Sequence, residues 1–204
     1  MEENTILVRR YAGTEAALAV NEREIWRYAG GARPEDEGMQ ALLDEVISET
    51  RDAFDYRVCY RRMAELPFGR ESAQLANCLA GSGEVVLFAA TVGLEADRRV
   101  ARYQRTSPTK ALLAQAFGAE RAEALCDAFC ADIRKEAAAE GKTCTPRFSP
   151  GYGDLPLETQ RDVFRLLDCG RKIGVWLNES LLMTPTKSVT AVFGLKEGQG
   201  DWKP

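Results

Sequence analysis

The amino-acid sequence predicts an α+β fold in which a largely antiparallel, twisted sheet is flanked by helices. Short strand-like runs lie near both ends and in the middle of the chain, and segments with the apolar spacing of helices separate them. No repeat, low-complexity tract or linker interrupts these elements, and 45% of the 204 residues are hydrophobic. That content is enough for one substantial core, so we expect a single domain over residues 1–204.

Caps and periodicity mark the elements of the first half. "TILVRR" is typical of a short strand, and "NEREIWRYAG" predicts a helix with Asn21 as N-cap, Glu24 as its capping-box partner and Gly30 after the last turn. "PEDEGMQALLDEVISET" has the spacing of an amphipathic helix. "DYRVCYRRM" alternates apolar residues with arginine, which predicts a half-exposed strand, and "ESAQLANCLAGS" predicts a short helix.

The second half begins with "EVVLFAAT", a continuous apolar run that predicts a buried strand. We expect a helix at "LEADRRVARYQRT" and another from Ser107 to Ala139, broken or kinked at Gly118. "LPLETQRDVFRLLD" predicts an amphipathic helix that ends before "CGRK". Two strand-like runs, "IGVWLNES" and "SVTAVFGL", are joined through Pro185, and we expect residues 196–204 to form a flexible tail.

Composition narrows the range of partners. The formal net charge of −4 gives no electrostatic reason to expect nucleic acid or an anionic membrane. No apolar run reaches the roughly 18 residues needed to span a bilayer, and "MEENTILVRR" lacks the apolar core of a signal peptide. We therefore expect a cytoplasmic protein with no membrane and no nucleic-acid partner. The six cysteines include no CxxC pair and no zinc-ligand spacing, so we predict no metal site.

The chain contains no histidine. This removes Ser-His-Asp and Cys-His catalysis, imidazole metal ligation and the usual proton shuttle near neutral pH. We therefore assign no catalytic residue. If chemistry occurs, a bound cofactor or a partner brings the reactive group.

One loop, "RFSPGYGD", is unusually constrained. Its prolines each fix a φ angle, while Gly151 and Gly153 permit positive φ and let a ligand approach the backbone. Arg147 offers a guanidinium fork, and Tyr152 offers an aromatic face and a hydroxyl. The loop could hold a small anionic or zwitterionic molecule, or it could be a stiff connection whose arginine makes a surface ion pair. Local physics leaves both interpretations open.

Further motifs extend from this loop over roughly 50 residues. They comprise an R-x-x-P-G-Y loop, a helix ending in a Leu-Leu pair, a "GVWLNES" segment and an M-x-P-x-x-S-V run. The residues that carry them are Arg147, Pro150, Gly151, Tyr152, Leu166, Leu167, Gly174, Leu177, Glu179, Ser180, Met183, Pro185, Ser188 and Val189. In order and spacing the string resembles the reactivation, or activation, domain of cobalamin (vitamin B12)-dependent methionine synthase. Upstream, "LFAATVGLEADRRV" and "ALCDAFCADIRKE" are similar to small, free-standing bacterial versions of that domain.

The resemblance implies a methionine synthase activation domain-like fold and a function. Members of the family bind S-adenosylmethionine and present its methyl group to cob(II)alamin on another domain, while a flavodoxin- or ferredoxin-like protein supplies an electron. The chain would then be a component of methionine synthase that serves reductive methylation of the cobalamin carried by its partner. Two alternatives stay open. The chain could methylate or reactivate a different corrinoid protein, or it could be a docking or sensor module without methyl transfer.

The resemblance also implies ligand contacts for the loop. Arg147 falls on the arginine that contacts the carboxylate of the ligand's methionine part. Ser149, Gly151 and Tyr152 fall on positions that give backbone and aromatic contacts. An arginine fork suits a carboxylate, and an aromatic wall tolerates a sulfonium.

Two acidic residues complete the predicted site. Asp127 aligns with an acidic residue of the preceding helix and suits the ligand's ammonium. Glu179 either lines the cleft or, with Asn178, ends a strand and caps the next turn. The tail "GLKEGQGDWKP" departs from longer members, because it lacks their H-P-x-x-x-Y-[YF] segment and has Trp202 as its one aromatic residue. An N-terminal acidic contact of those members has no alignable counterpart in "NEREIWRYAGG".

Overall fold

A computed structural model of the chain describes residues 5–13, 18–31 and 36–198. The strands in these residues are β1 Leu7–Tyr11, β2 Tyr56–Met63, β3 Glu84–Thr91, β4 Lys142–Cys144, β5 Trp176–Leu177, β6 Met183–Thr184 and β7 Ser188–Glu197. The α-helices are α1 Glu22–Tyr28, α2 Glu37–Thr50, α3 Ala73–Leu79, α4 Glu95–Thr106, α5 Pro108–Ala139, α6 Gln160–Leu167 and α7 Cys169–Ile173.

Five strands form the main sheet in the order β1-β2-β3-β7-β4, and every neighbouring pair is antiparallel. The short strands β5 and β6 pair with each other in a separate two-stranded sheet. Because helices flank this antiparallel sheet, the predicted α+β class is confirmed.

The central strand β3 is covered on both faces. Val86 and Phe88 belong to a core cluster with Phe129 of α5, and the rings of Phe88 and Phe129 lie 4.9 Å apart. Leu87, one residue along, belongs to the opposite cluster, which includes Val163 of α6. Since successive strand residues point to opposite faces, a strand between two helical layers needs apolar residues throughout. This explains the continuous run "EVVLFAAT".

A third cluster lies away from the sheet, where α1, α2 and α4 pack on the first half of α5. Its buried centre includes Ile25, Leu43, Tyr103 and Phe117. The long helix α5 therefore contacts the sheet along one part and three helices along another.

The prediction of a half-exposed second strand is wrong. Tyr56, Val58 and Tyr60 share one face, as expected, and this face packs against α5. Cys59 and Met63 are buried on the other face. The arginines between them are only partly exposed, because their stems can lie along apolar surface while the charged ends reach water.

Of the break or kink predicted at Gly118, the break is wrong, since α5 is continuous over 32 residues. A Cβ at Gly118 would lie 3.1 Å from Cγ of Lys187, so the glycine makes room for this side chain. The glycine that suggested a helix breaker is therefore explained by close packing against another side chain.

The C-terminal elements differ from expectation at three points. Of the strand-like run "IGVWLNES" only Trp176 and Leu177 form a strand, β5, because Ile173 belongs to α7. The helix after the loop ends at Leu167, with Asp168 in the left-handed region, but "CGRKI" then forms the further helix α7. The flexible tail was expected from residue 196, yet Lys196 and Glu197 belong to β7 and pair with Thr143 and Lys142 of β4. Ladder pairing with β4 orders these two residues. Trp202 lies outside the described residues.

None of the helices in the described ranges is long and apolar enough to cross a membrane.

Candidate functional site

The segment that leads into the predicted loop, residues 147–154, continues β4 along β7. Thr145 donates its backbone N–H to the carbonyl of Gly194 at 2.9 Å and accepts the Gly194 N–H on its hydroxyl at 2.8 Å. Phe148 and Val192 exchange two backbone hydrogen bonds of 2.8 Å each. Arg147 lies between these anchors, so the sheet fixes the start of its side chain.

Beyond Phe148 the loop turns sharply on itself. The N–H of Gly151 donates to the carbonyl of Leu155 at 3.0 Å, and the N–H of Leu155 donates to the carbonyl of Tyr152 at 3.0 Å. Gly151 and Gly153 have φ angles of +86° and +54°, which disfavour residues with a Cβ. At Gly153 a Cβ would also meet the side-chain amide of Gln74.

Asp154 fastens the turn to the N-terminus of α3. Its carboxylate accepts the hydroxyl of Ser72 and the N–H groups of Ala73 and Gln74, the last two at 2.9 and 3.3 Å. The hydrogen bond from Ser72, followed by those from the two backbone groups, lowers the pKa of Asp154. The first N–H groups of a helix lack partners within the helix, and here the loop supplies one.

Arg147 bridges two carboxylates on α5. Its Nη2 lies 2.6 Å from Oε2 of Glu123 and 3.2 Å from Oδ1 of Asp127. Its Nη1 is buried and has no hydrogen-bond partner among the described residues. Burial disfavours the charged guanidinium, yet the thiol of Cys126 together with the carboxylates of Glu123 and Asp127 outweighs it, and the pKa of Arg147 is raised.

A cavity of about 370 Å³ opens beside this pair. The loop lines it with Arg147, Ser149 and Tyr152, α5 with Glu123, and β7 with residues 188–190. The volume falls within the range of small-molecule sites, and the wall is mixed, because apolar side chains such as Phe148 and Val189 lie among the polar ones.

Gln160 and Met183 complete the wall of this cavity. Gln160 is 6% exposed, and its amide oxygen has no hydrogen-bond partner among the described residues. Buried polar groups are normally paired, so an unpaired acceptor lining a cavity indicates a place for a ligand's donor.

A second cavity, of about 540 Å³, lies on the other side of the same ion pair and shares Glu123 and Arg147. Asn21, Glu24 and Tyr28 of the α1 region form its opposite wall. A third cavity, of about 680 Å³, lies between α3 and β4 and contains none of the residues predicted from the sequence. In the described part of the chain, no group of three or more histidine, cysteine, aspartate or glutamate side chains could hold a metal ion.

The predicted site residues separate into two groups. Arg147, Ser149 and Tyr152 line the first cavity, and Gly151 forms the turn behind them. Tyr152 is 72% exposed, so its ring stands at the mouth rather than in the interior.

The two acidic residues lie elsewhere. The side chain of Asp127 is 74% exposed and lines only the second cavity. Glu179 is exposed and lines none of the three cavities, and its backbone carbonyl accepts a hydrogen bond from Arg161 at 3.2 Å. Beside it, the side chain of Asn178 accepts the N–H of Leu182 at 2.9 Å, which is the capping role that the sequence left open.

Glu123, which lies closest to Arg147 among the acidic residues that the structure describes, was not predicted from the sequence. It lies one turn before Asp127 on α5, and residues four apart share a helix face. That spacing could have identified it as a second candidate. Gln160 carried no comparable signal, because its burial depends on how α6 packs.

The fold is α+β, and the first cavity brings together an arginine, a carboxylate and an aromatic ring. The sequence model for the activation domain of vitamin B12 dependent methionine synthase matches residues 79–199. The chain therefore belongs to this family, as the motifs indicated.

The fold is similar to that in the crystal structure of the MetH reactivation domain bound to AdoHcy, with a TM-score of 0.67. The two chains are 15% identical, and the match covers 99% of this chain and 81% of that chain. At this identity the likeness shows the fold alone. No curated protein matches the chain.

Proposed function

We propose that the chain binds S-adenosylmethionine in the first cavity and presents its methyl group to a cob(II)alamin carried by a partner protein. Family membership supports the proposal, and one observation carries it: the guanidinium of Arg147 and the carboxylate of Glu123 meet at 2.6 Å on the cavity wall. The methionine part of S-adenosylmethionine bears a carboxylate and an ammonium, which suit these two opposite charges.

The other groups of the cavity suit the rest of the ligand. The exposed ring of Tyr152 offers a π face to a sulfonium, and the unpaired oxygen of Gln160 offers an acceptor to an N–H donor. The solved reactivation domain with this fold holds AdoHcy, the demethylated form of the same ligand, which supports the choice of ligand class.

The role proposed for this chain is to position the ligand's methyl group. Bound S-adenosylmethionine would supply the methyl group, and reduced cobalamin on the partner would receive it. Such a transfer needs no general base, so a chain without histidine is suited to it. Arg147 and Glu123 would fix the amino-acid end, and the rigid turn at Gly151 and Gly153 would hold Tyr152 at the mouth, where the methyl group must meet the partner.

The proposed partner is a cobalamin-binding methionine synthase or another corrinoid protein, with a flavodoxin- or ferredoxin-like electron donor. The proposed location is the cytoplasm. A reducing compartment suits this chemistry, and all six cysteines are free thiols.

Isothermal titration with S-adenosylmethionine tests the binding step. We expect Arg147→Ala to weaken binding by about 1.5–3 kcal/mol, the range for a charge-assisted hydrogen bond, with little change in Tm. Arg9→Ala is the matched control, because Arg9 also bridges two carboxylates on α5, Asp132 at 3.8 Å and Glu136 at 2.5 Å. Absence of any heat of binding to the wild-type chain at millimolar ligand, alone or with its partner, would contradict the proposal.

Methyl transfer is tested separately, by incubating the chain with S-adenosylmethionine, a reductant and each candidate corrinoid protein. Appearance of methylated cobalamin on a methionine synthase supports the leading function. Transfer only to a different corrinoid protein would favour the second function. Binding without transfer to any partner would favour a docking or sensor module.

A further inference from the structure

Arg147 is already neutralised in the free protein. Its Nη2 binds both Glu123 and Asp127, so one positive charge faces two negative charges. The side chain of Glu123 is 40% exposed and lines both adjoining cavities. A ligand that approaches from either cavity therefore meets a guanidinium whose Nη2 already has two acceptors, while its unpaired Nη1 is buried.

A ligand that bears only a carboxylate gains little binding free energy from Arg147. To reach Nη2 it must displace Glu123, which then remains as a carboxylate without its cation at the edge of a partly buried site. Desolvated charges without partners are unfavourable, so this exchange breaks one ion pair for each one it forms.

A ligand bearing both a carboxylate and an ammonium changes this balance. Its carboxylate takes the place of Glu123 on Arg147, and its ammonium gives the released Glu123 a new cation. One ion pair becomes two, and the charge of the site does not change. Asp127, at 3.2 Å and largely in water, can remain on Arg147 in both states.

We propose that Glu123 is the internal counterion of Arg147 in the free protein and the ammonium acceptor in the bound state. The site then selects α-amino-acid zwitterions by counterion exchange and discriminates against ligands that carry only one of the two charges. This inference rests on the proposed function, and it names Glu123 as the specificity-determining residue of the same site.

A matched arrangement on α5 provides the control. Glu136 lies 2.5 Å from Nη2 of Arg9, and Asp132, one turn earlier, lies 3.8 Å from Nη1. The exposure of Glu136, 44%, is close to that of Glu123, but Glu136 lines none of the three cavities described above. Replacing Glu136 removes the same kind of ion pair from the same helix away from the site.

The experiment is a titration of wild type, Glu123→Gln, Asp127→Asn and Glu136→Gln with two ligands. One is S-adenosylhomocysteine, which is a stable zwitterion, and the other is its analogue with hydrogen in place of the amino group. We expect Glu123→Gln to weaken binding of the zwitterion by about 10- to 100-fold, the range for a charge-assisted hydrogen bond. The same substitution should tighten binding of the deaminated analogue several-fold, because the competing carboxylate is gone. Glu136→Gln should change neither affinity.

Opposite changes for the two ligands support the exchange. A change in the same direction for both would overturn it and assign Glu123 to shaping the cavity. Opposite changes in Asp127→Asn but not in Glu123→Gln would also overturn it, because the exchanging carboxylate would then be Asp127. Failure of the wild-type chain to bind either ligand would overturn the proposed function itself. Denaturation midpoints of the variants show whether each is folded.

Discussion

The carboxylate of Asp154 accepts the backbone N–H of Ala73 at 2.9 Å, so the loop that carries Arg147 is fastened to the first turn of α3. The hydroxyl of Ser72 and the N–H of Gln74 donate to the same carboxylate. A capped helix end is a rigid support, because its N–H groups have fixed directions. The turn is therefore held at one end by β7 and at the other by α3.

Replacing Asp154 with alanine should loosen this support. We expect Asp154→Ala to lower Tm and to weaken binding of S-adenosylmethionine, because Ser149 and Tyr152 lose their fixed positions. The pKa of Asp154 is lowered in the folded protein, chiefly by the hydrogen bond from Ser72. Its stabilising effect is therefore present above its ordinary pKa and is lost as the pH falls through the lowered one.

Calorimetric melting and ligand titration check both effects. Asp162→Ala is a suitable control, since Asp162 pairs with Arg165 at 2.6 Å on α6 and lines none of the three cavities. A normal ligand affinity in Asp154→Ala would show that the turn holds its shape without α3.

Gln160 should show a trade-off between stability and binding. An unpaired buried acceptor is unfavourable by about 1–3 kcal/mol, and methionine has a similar length without that acceptor. We expect Gln160→Met to raise the free energy of unfolding by about 1 kcal/mol and to weaken ligand binding. Urea unfolding and calorimetric titration measure the two quantities. Gln104→Met, at an exposed position of α4, should change neither. Lower stability with unchanged affinity would contradict a ligand-binding role.

Local sequence signals predicted the helices and strands better than they predicted the tertiary contacts of these elements. Asn21 caps α1 as expected, accepting the N–H of Glu24 at 3.3 Å. The reciprocal half of the capping box is absent, because the side chain of Glu24 binds Arg27 at 2.8 Å and the N–H of Asn21 donates to Glu120 at 3.1 Å. The side-chain cap depends on residues a few positions apart, so the sequence predicts it. Glu120 of α5, which takes the N–H of Asn21 in place of Glu24, is distant in sequence and could not be predicted.

The same distinction explains the wrong predictions. Alternation in "DYRVCYRRM" correctly identified a strand. It could not show that α6 and α7 cover the second face of this strand, because that depends on tertiary packing. Gly118 suggested a break, but its role follows from Lys187, which lies 69 positions later in the chain. Arg147 and Tyr152 were found because they share one loop. Glu123 was missed because only the rotation of α5 decides which acidic residue meets Arg147.

Glu140 should make the stability of the folded protein sensitive to acid. Arg62 donates two hydrogen bonds of 2.7 Å to its carboxylate, and Lys142 donates one of 3.2 Å. Led by the contacts from Arg62, these interactions lower the pKa of Glu140 from its ordinary 4.5 to about 2. The unfolded chain therefore binds this proton more tightly, so the stabilising effect is complete above about pH 4.5 and is lost as the pH falls towards 2.

Urea unfolding between pH 6 and pH 2.5 tests this effect in Glu140→Gln. We expect the variant to be less stable than wild type at pH 6 and the difference to shrink as the pH falls, because below its ordinary pKa the carboxylate of Glu140 is protonated in the unfolded wild-type chain before it is protonated in the folded one. Glu158→Gln, at an exposed position, is the control. A constant difference across the pH range would assign the effect to packing rather than to charge.

Arg121 and Glu120 form a buried ion pair that holds the α1 wall of the second cavity. Arg121 is 1% exposed, and its guanidinium donates to the carbonyl of Ala19 at 3.0 Å and to that of Leu18. Its partner Glu120 accepts the N–H of Asn21. Removing one partner of such a pair leaves a buried charge without compensation, which typically reduces the free energy of unfolding by about 3–5 kcal/mol.

We expect Arg121→Met to cause a loss of that size and to speed hydrogen exchange of the α1 amides, since the segment before α1 loses its anchor. The double variant Glu120→Gln/Arg121→Met should recover much of the stability, because no unpaired charge remains, but should keep the faster exchange. Urea unfolding and exchange measured by mass spectrometry separate the two effects. Recovery of slow exchange in the double variant would show that apolar packing alone positions α1 beside Arg147, because both charges of the pair are then gone.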